Sequence, residues 1–218
     1  MSENNIASAN LFLEMAAFWR PPDEEFWNNI SSGCIDSEIS ELVKQAKLLP
    51  EWAMQKTFQA SLPPLAVLQS FFIRCFIGIG KKTALPVESI YKKWTEDPTA
   101  RLPIAGSTGY LMGDPALHAQ YLLEHYGLCV PPDYRMMPDH LSLLLELAAF
   151  LLKNRTSAEA RTFLAQHLDW LDQLLQAVNE VESENEQDHQ AKCFYQLALQ
   201  ILQQVVDCQL RNYSNACD

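Results

Sequence analysis

The stretch MPDHLSLLLELAAFLL, Met137 to Leu152, decides the fold. It is apolar on nearly every face, with Glu146 as the one charge after His140, and it has no period-2 alternation. A run of this kind is a buried helix, around which other helices must be layered. Pro138 suits the first helical position, where the missing N–H would be unsatisfied anyway. On that reading Asp139 and His140 fall in the first turn, beside free N–H groups and the positive end of the helix dipole. Asp139 then steadies that end, typically by ~0.3–1 kcal/mol, and is shaped to accept an arginine fork. The same dipole keeps His140 neutral, with one donor and one acceptor for a peptide backbone.

Helical patterning extends outward in both directions. Ala7–Trp19 stops at Pro21-Pro22, and Asp36–Leu48 carries Ile39, Leu42, Val43 and Ala46 at i, i+3, i+4 and i+7. Leu65–Ile77 ends at Gly78 and Gly80. Asp114 followed by Pro115 predicts an N-cap and first position, with Gly127 closing that helix. Ser157–Val178 and Gln190–Arg211 complete the series. Seven glycines in 218 residues are few for an all-β chain with many tight turns. The expectation is an all-α protein of about ten helices. Between Thr95 and Gly113 the pattern lapses into Asp97-Pro98, Pro103, Gly106 and Gly109. The chain is therefore divided into an N-terminal helical group, 1–95, a hinge loop, 96–113, and a C-terminal group, 114–218, within one compact domain. A connector of this kind allows a monomer or a homodimer that exchanges helical groups.

Charge and composition exclude several functions. The net charge is −11, which opposes general nucleic-acid binding. Residues 1–95 hold ten acidic and nine basic side chains, whereas 96–218 hold seventeen and seven, so the second half suits a basic partner. Glu180, Glu182, Glu184, Glu186 and Asp188 lie in an Asn/Gln/Ser-rich run that reads as a solvated loop. No basic start precedes an apolar run in MSENNIASAN, and no stretch reaches ~20 clean apolar residues, so a cytoplasmic chain without membrane insertion is expected. The six cysteines, at 34, 75, 129, 193, 208 and 217, have neither C-x-x-C nor zinc-finger spacing and are expected reduced, several as core filler.

Catalytic signals fail in turn. Gly78-Ile79-Gly80-Lys81-Lys82-Thr83 has Cys75 where a P-loop needs its first glycine and Lys82 where it needs Ser or Thr. His118 and His125 share a helical face with Asp114, but a third ligand and supporting partners are missing; the histidines read as amphipathic surface. No Ser or Cys sits in a nucleophile elbow. No catalytic residue, metal or cofactor is assigned.

Two segments are distinctive: Phe71–Trp94, FFIRCFIGIGKKTALPVESIYKKW, and Tyr134–Phe150, YRMMPDHLSLLLELAAF. Together they resemble the TorD/DmsD/NarJ family of cytoplasmic chaperones for molybdoenzymes. That family carries a Phe-hydrophobic-Gly … Glu-Ser-hydrophobic-Tyr segment and, later, a Pro-Asp-His-Leu … Glu-Leu … Phe-Leu helix. The Gly113-Asp114 helix start between them also fits. The resemblance implies an all-α chaperone that binds the twin-arginine leader, and the apo form, of a molybdenum-cofactor oxidoreductase and delays export until the cofactor is inserted. It places Ser89, Tyr91, Trp94, Gly113, Pro138, Asp139, His140 and Glu146 at the peptide site. Tyr91 and Trp94, three apart, also suit plain core packing. Glu146, seven residues after Asp139, needs a cationic partner, internal or from the client. Lys92 and Lys93 depart from an acidic groove, and the 180–188 run is particular to this member. Two other classes stay open: a nucleotide (GTP)-binding switch or enzyme, and an acidic helical scaffold.

Overall fold

A computed structural model describes residues 3–48 and 56–214. Its described residues form eleven α-helices and no strand. They are α1 (Glu3–Ala17), α2 (Glu24–Ser31), α3 (Cys34–Gln45), α4 (Phe58–Ser61), α5 (Leu65–Phe76), α6 (Glu88–Tyr91), α7 (Asp114–His125), α8 (Leu141–Asn154), α9 (Ser157–His167), α10 (Leu171–Glu180) and α11 (Glu186–Ser214). The fold is all-α, as the patterning predicts. Cys217 lies outside the described residues.

Helix α8 is the core element. Every residue from Leu141 to Leu152 is buried except Glu146 and Phe150. Each fully buried leucine contributes ~1.5–3 kcal/mol of apolar transfer, so the helix is held by tertiary burial. Its main neighbour is α1, which lies along it and buries Leu11, Phe12 and Met15. Packed on α4, α5, α9 and α10, α11 supplies Phe194 and Tyr195 to an aromatic cluster with Phe18, Phe58, Phe71 and Phe76. Phe71 and Tyr195 stack at 5.8 Å between ring centres. Cys75 is core filler here, whereas Cys34 and Cys129 are exposed.

Four local readings need correction. Pro138 does not open α8: it is the second residue of a β-turn closed by His140 N–H to the Met137 carbonyl at 3.0 Å. His140 is the N-cap and Leu141 the first helical residue. Proline's fixed φ suits that turn position as well as a helix start, so local sequence does not distinguish them. Asp114 does not cap α7. Gly113 is the N-cap, and the Asp114 carboxylate turns away to accept from the Thr95 hydroxyl at 2.5 Å. The 157–178 segment is two helices, broken at Leu168–Trp170, where Trp170 is buried and its indole N–H donates to the His167 carbonyl at 2.7 Å. The acidic run is only partly solvated. Asp188 is buried in the first turn of α11, paired with Arg74, and accepts from the Glu184 backbone N–H at 2.9 Å.

Residues 96–113 contain no helix but are tied down. Trp94 N–H donates to the Ser107 carbonyl at 2.9 Å, Thr95 N–H to Ala105 at 3.0 Å, and Gly109 N–H to Ile90 at 2.9 Å. Gly113 then passes so close to Trp94 that a Cβ would stand 2.5 Å from the Trp94 carbonyl oxygen.

Candidate functional site

The two distinctive segments bind each other. Val87 and His140 form an antiparallel bridge, with Leu141 N–H donating to the Pro86 carbonyl at 2.8 Å and Glu88 N–H to the Asp139 carbonyl at 3.2 Å. The single turn of α6 begins after Val87, whose apolar side chain cannot cap it. Asp139 performs that task from fifty residues away: its Oδ2 accepts the Ser89 N–H at 2.7 Å. A one-turn helix is unstable alone, so this remote cap is what fixes it.

This joint is polar and buried. Asp139 and Ser89 are both fully enclosed, and Asp139 Oδ1 and Ser89 Oγ have no hydrogen-bond partner among the described residues. Burial raises the Asp139 pKa; its polar contact with Ser89 opposes this, and the nearby Glu88 charge adds to it. His140 Nδ1 accepts the Ser142 N–H at 3.2 Å and lies 2.9 Å from the Ser142 hydroxyl. Burial, with a smaller contribution from the Arg20 charge, lowers the His140 pKa to about 3. His140 is therefore neutral, but chiefly by burial rather than by the helix dipole.

The remaining residues singled out from sequence are spread around this joint. Tyr91 stacks on the buried Trp170 at 5.2 Å between ring centres. Trp94 is half-buried, and its carbonyl accepts the Asp114 N–H at 2.7 Å beside Gly113. Pro138 is buried in the turn. Glu146 is partly exposed and has an internal partner, Arg20.

Sequence reasoning missed the neighbouring cleft. It has a volume of about 640 Å³ and is lined by Glu88, Lys92, Lys93, Glu96, Asp114, Pro115, His118, Gln166, His167 and Asp169. Glu88, 1% exposed, anchors its floor: Oε1 is 2.8 Å from Lys92 Nζ and Oε2 is 2.7 Å from His167 Nδ1. His167 Nε2 in turn lies 2.8 Å from His118 Nδ1. Burial works against the Lys92 ammonium, but Glu88 and Asp169 outweigh it and raise its pKa. Burial and the neighbouring His167 lower that of His118. Glu88 stood in the quoted segment, but nothing local marks His167 as its partner 79 residues on. Among the described residues no group of three or more His, Cys, Asp or Glu is placed to hold a metal ion. No helix among them is long and apolar enough to cross a membrane.

The chain is a chaperone for redox-enzyme maturation and not an enzyme. That assignment rests on a family match. Residues 36–200 fit the family described as nitrate reductase delta subunit, and the chain belongs to that family. Family membership implies interaction with a molybdoenzyme subunit. Among solved structures, a protein of Archaeoglobus fulgidus with a provisional assignment to redox enzyme maturation aligns over 87% of this chain and 92% of its own, at 22% identity and a TM-score of 0.47. No curated protein matches the chain.

Proposed function

We propose that the chain binds the twin-arginine leader of a molybdenum-cofactor oxidoreductase, and its apo form, on the cytoplasmic side, and so delays export until the cofactor is inserted. The observation that carries this reading is one exposed stripe on α7. Asp114, Leu117, His118 and Tyr121 recur at i, i+3, i+4 and i+7, and all four are exposed. The stripe starts at the cleft, where Asp114 stands with Glu96 and Asp169, and continues onto the apolar Leu117 and Tyr121. A leader has the complementary order, basic and then apolar.

In this reading the residues chosen from sequence divide by task. Ser89, Pro138, Asp139 and His140 hold the frame, Tyr91 stacks on Trp170, and Trp94 and Gly113 fix the start of α7 beside the cleft. Glu146 meets a leader arginine only by exchanging Arg20 for it. Calorimetric titration with the client's leader peptide tests the assignment. Asp114→Asn and Asp169→Asn each remove an acceptor for a guanidinium, so affinity falls by ~1.5–3 kcal/mol, the range for hydrogen bonds to charged groups, with the thermal melt little changed. Leader binding at wild-type strength in both variants would overturn the site.

A further inference from the structure

The hydrogen bonds beneath the cleft join its two histidines in one chain that starts at Glu88. Glu88 forms an ion pair with Lys92 through Oε1, and a carboxylate only accepts, so His167 donates through Nδ1–H. A neutral His167 then offers a lone pair at Nε2, and His118 must donate to it through its own Nδ1–H. That leaves His118 Nε2 as a lone pair on an exposed, cleft-lining ring, with no partner among the described residues. The rings stay stacked at 4.9 Å, and Phe163 backs His167 at 4.8 Å, so neither ring is free to rotate out of the chain.

We propose that His118 Nε2 is a fixed hydrogen-bond acceptor of the cleft, offered to donor-only cations such as an arginine guanidinium, and that one proton on the imidazole pair reverses it. This deepens the leader-binding reading and rests on it. A guanidinium has five N–H donors and no acceptor, so it fits a lone pair and is refused by an N–H. A proton from solvent enters at His118 Nε2. Whether the charge stays there or passes along Nδ1 to His167, the exposed Nε2 now carries hydrogen. The contact is lost, and a positive charge faces the cation.

The charged groups that face the pair come from each element packed around it. Glu88 on α6 and Lys92 just after it are already paired, Asp114 lies one turn before His118, and Glu96 and Asp169 also line the cleft. Lys93 lines the same cleft, and Glu159 on α9 flanks the outer side of His118. Ordinary carboxylates and ammonium groups keep their charges between roughly pH 5.5 and 7.5, so a change in that window reports histidine.

The experiment has two arms on the full chain. Ring-¹⁵N histidine spectra at pH 7.5 should show His118 as the Nδ1–H tautomer with an unprotonated Nε2. Titration with Arg-Arg amide at pH 7.5 and 5.5 should show affinity falling about tenfold on acidification, the loss expected for one hydrogen bond to a charged group. His118→Phe should bind about tenfold more weakly at pH 7.5, for the same reason, and lose that pH dependence. An Nε2–H tautomer at neutral pH overturns the inference, and so does dipeptide binding in His118→Phe equal to wild type at both pH values. The second result leaves the leader reading standing. Absence of dipeptide binding by wild type, with the tautomer as described, refutes the leader reading and the ligand assigned here together.

Discussion

Replacing His140 by asparagine should change how the fold responds to acid. His140 is 6% exposed and uses Nδ1 to cap α8 through the Ser142 N–H. Its folded pKa is about 3, lowered first by burial and then by Arg20. In the unfolded chain a histidine titrates near ~6.5. Between those values the unfolded state takes up a proton that the folded state refuses. The stability contribution is therefore full above ~6.5 and is lost as pH falls, at ~1.36 kcal/mol per pH unit. At pH 5 the loss is about 2 kcal/mol, a large share of a typical domain's ~5–15 kcal/mol. Asparagine is a good N-cap acceptor and does not titrate, so His140→Asn should keep the cap and remove this slope. Urea unfolding of both proteins at pH 7.5, 6 and 5 measures it, and taking the difference cancels every titration they share. The wild type should lose about 2 kcal/mol more than the variant between pH 7.5 and 5, on the same linkage. Parallel stability curves would refute the argument and mean that His140 is protonated within the fold.

Two further outcomes follow from the connector. Gly113→Ala places a methyl 2.5 Å from the Trp94 carbonyl oxygen, which cannot retreat without stretching its 2.7 Å bond from Asp114 N–H. It should cost ~1–3 kcal/mol in chemical denaturation, as overpacking does, whereas Gly106→Ala, with nothing within 4 Å, should be neutral or stabilising by up to ~1 kcal/mol. Helix exchange between two copies requires 96–113 to open, so light scattering after refolding at rising concentration should show a growing dimer fraction; monomer at every concentration excludes exchange.

The helices legible in the sequence were those long enough to carry a pattern. The apolar spacing of α3 and the continuous apolar surfaces of α5 and α8 needed no partner to be read. Helices α2, α4 and α6 are eight, four and four residues long, too short for periodicity to mark. The Pro-Asp-His motif was visible, but its geometry was not, because the bonds that decide it reach back to Pro86, Glu88 and Ser89. The same holds for the cleft. Asp114 looked like a cap because Asp before Pro usually is one, and only the Thr95 hydroxyl and the close approach of Gly113 turn it away. His118 read as surface and is exposed; what the sequence did not show is its bond to His167 on another helix.

The buried joint also ties the cleft to the core. Helix α6 has a single turn and no cap of its own, so its position is set at two points. One is Asp139, at the edge of α8, which holds the Ser89 N–H. The other is Glu88, which reaches His167 and Lys92 at the cleft floor. Neither anchor is cheap to bury. Asp139 leaves one carboxylate oxygen unpartnered, and breaking either anchor would strand a buried charge or an unpaired N–H, at ~1–3 kcal/mol or more. A helix that short is the element most readily released when one anchor weakens. A guanidinium that competes for Glu88 or Asp169 loosens the Lys92 anchor, while the Asp139 anchor stays beneath α8, out of reach of solvent. A ligand seated in the cleft would therefore act on how α6 sits against the core, through the Glu88 and Asp139 anchors.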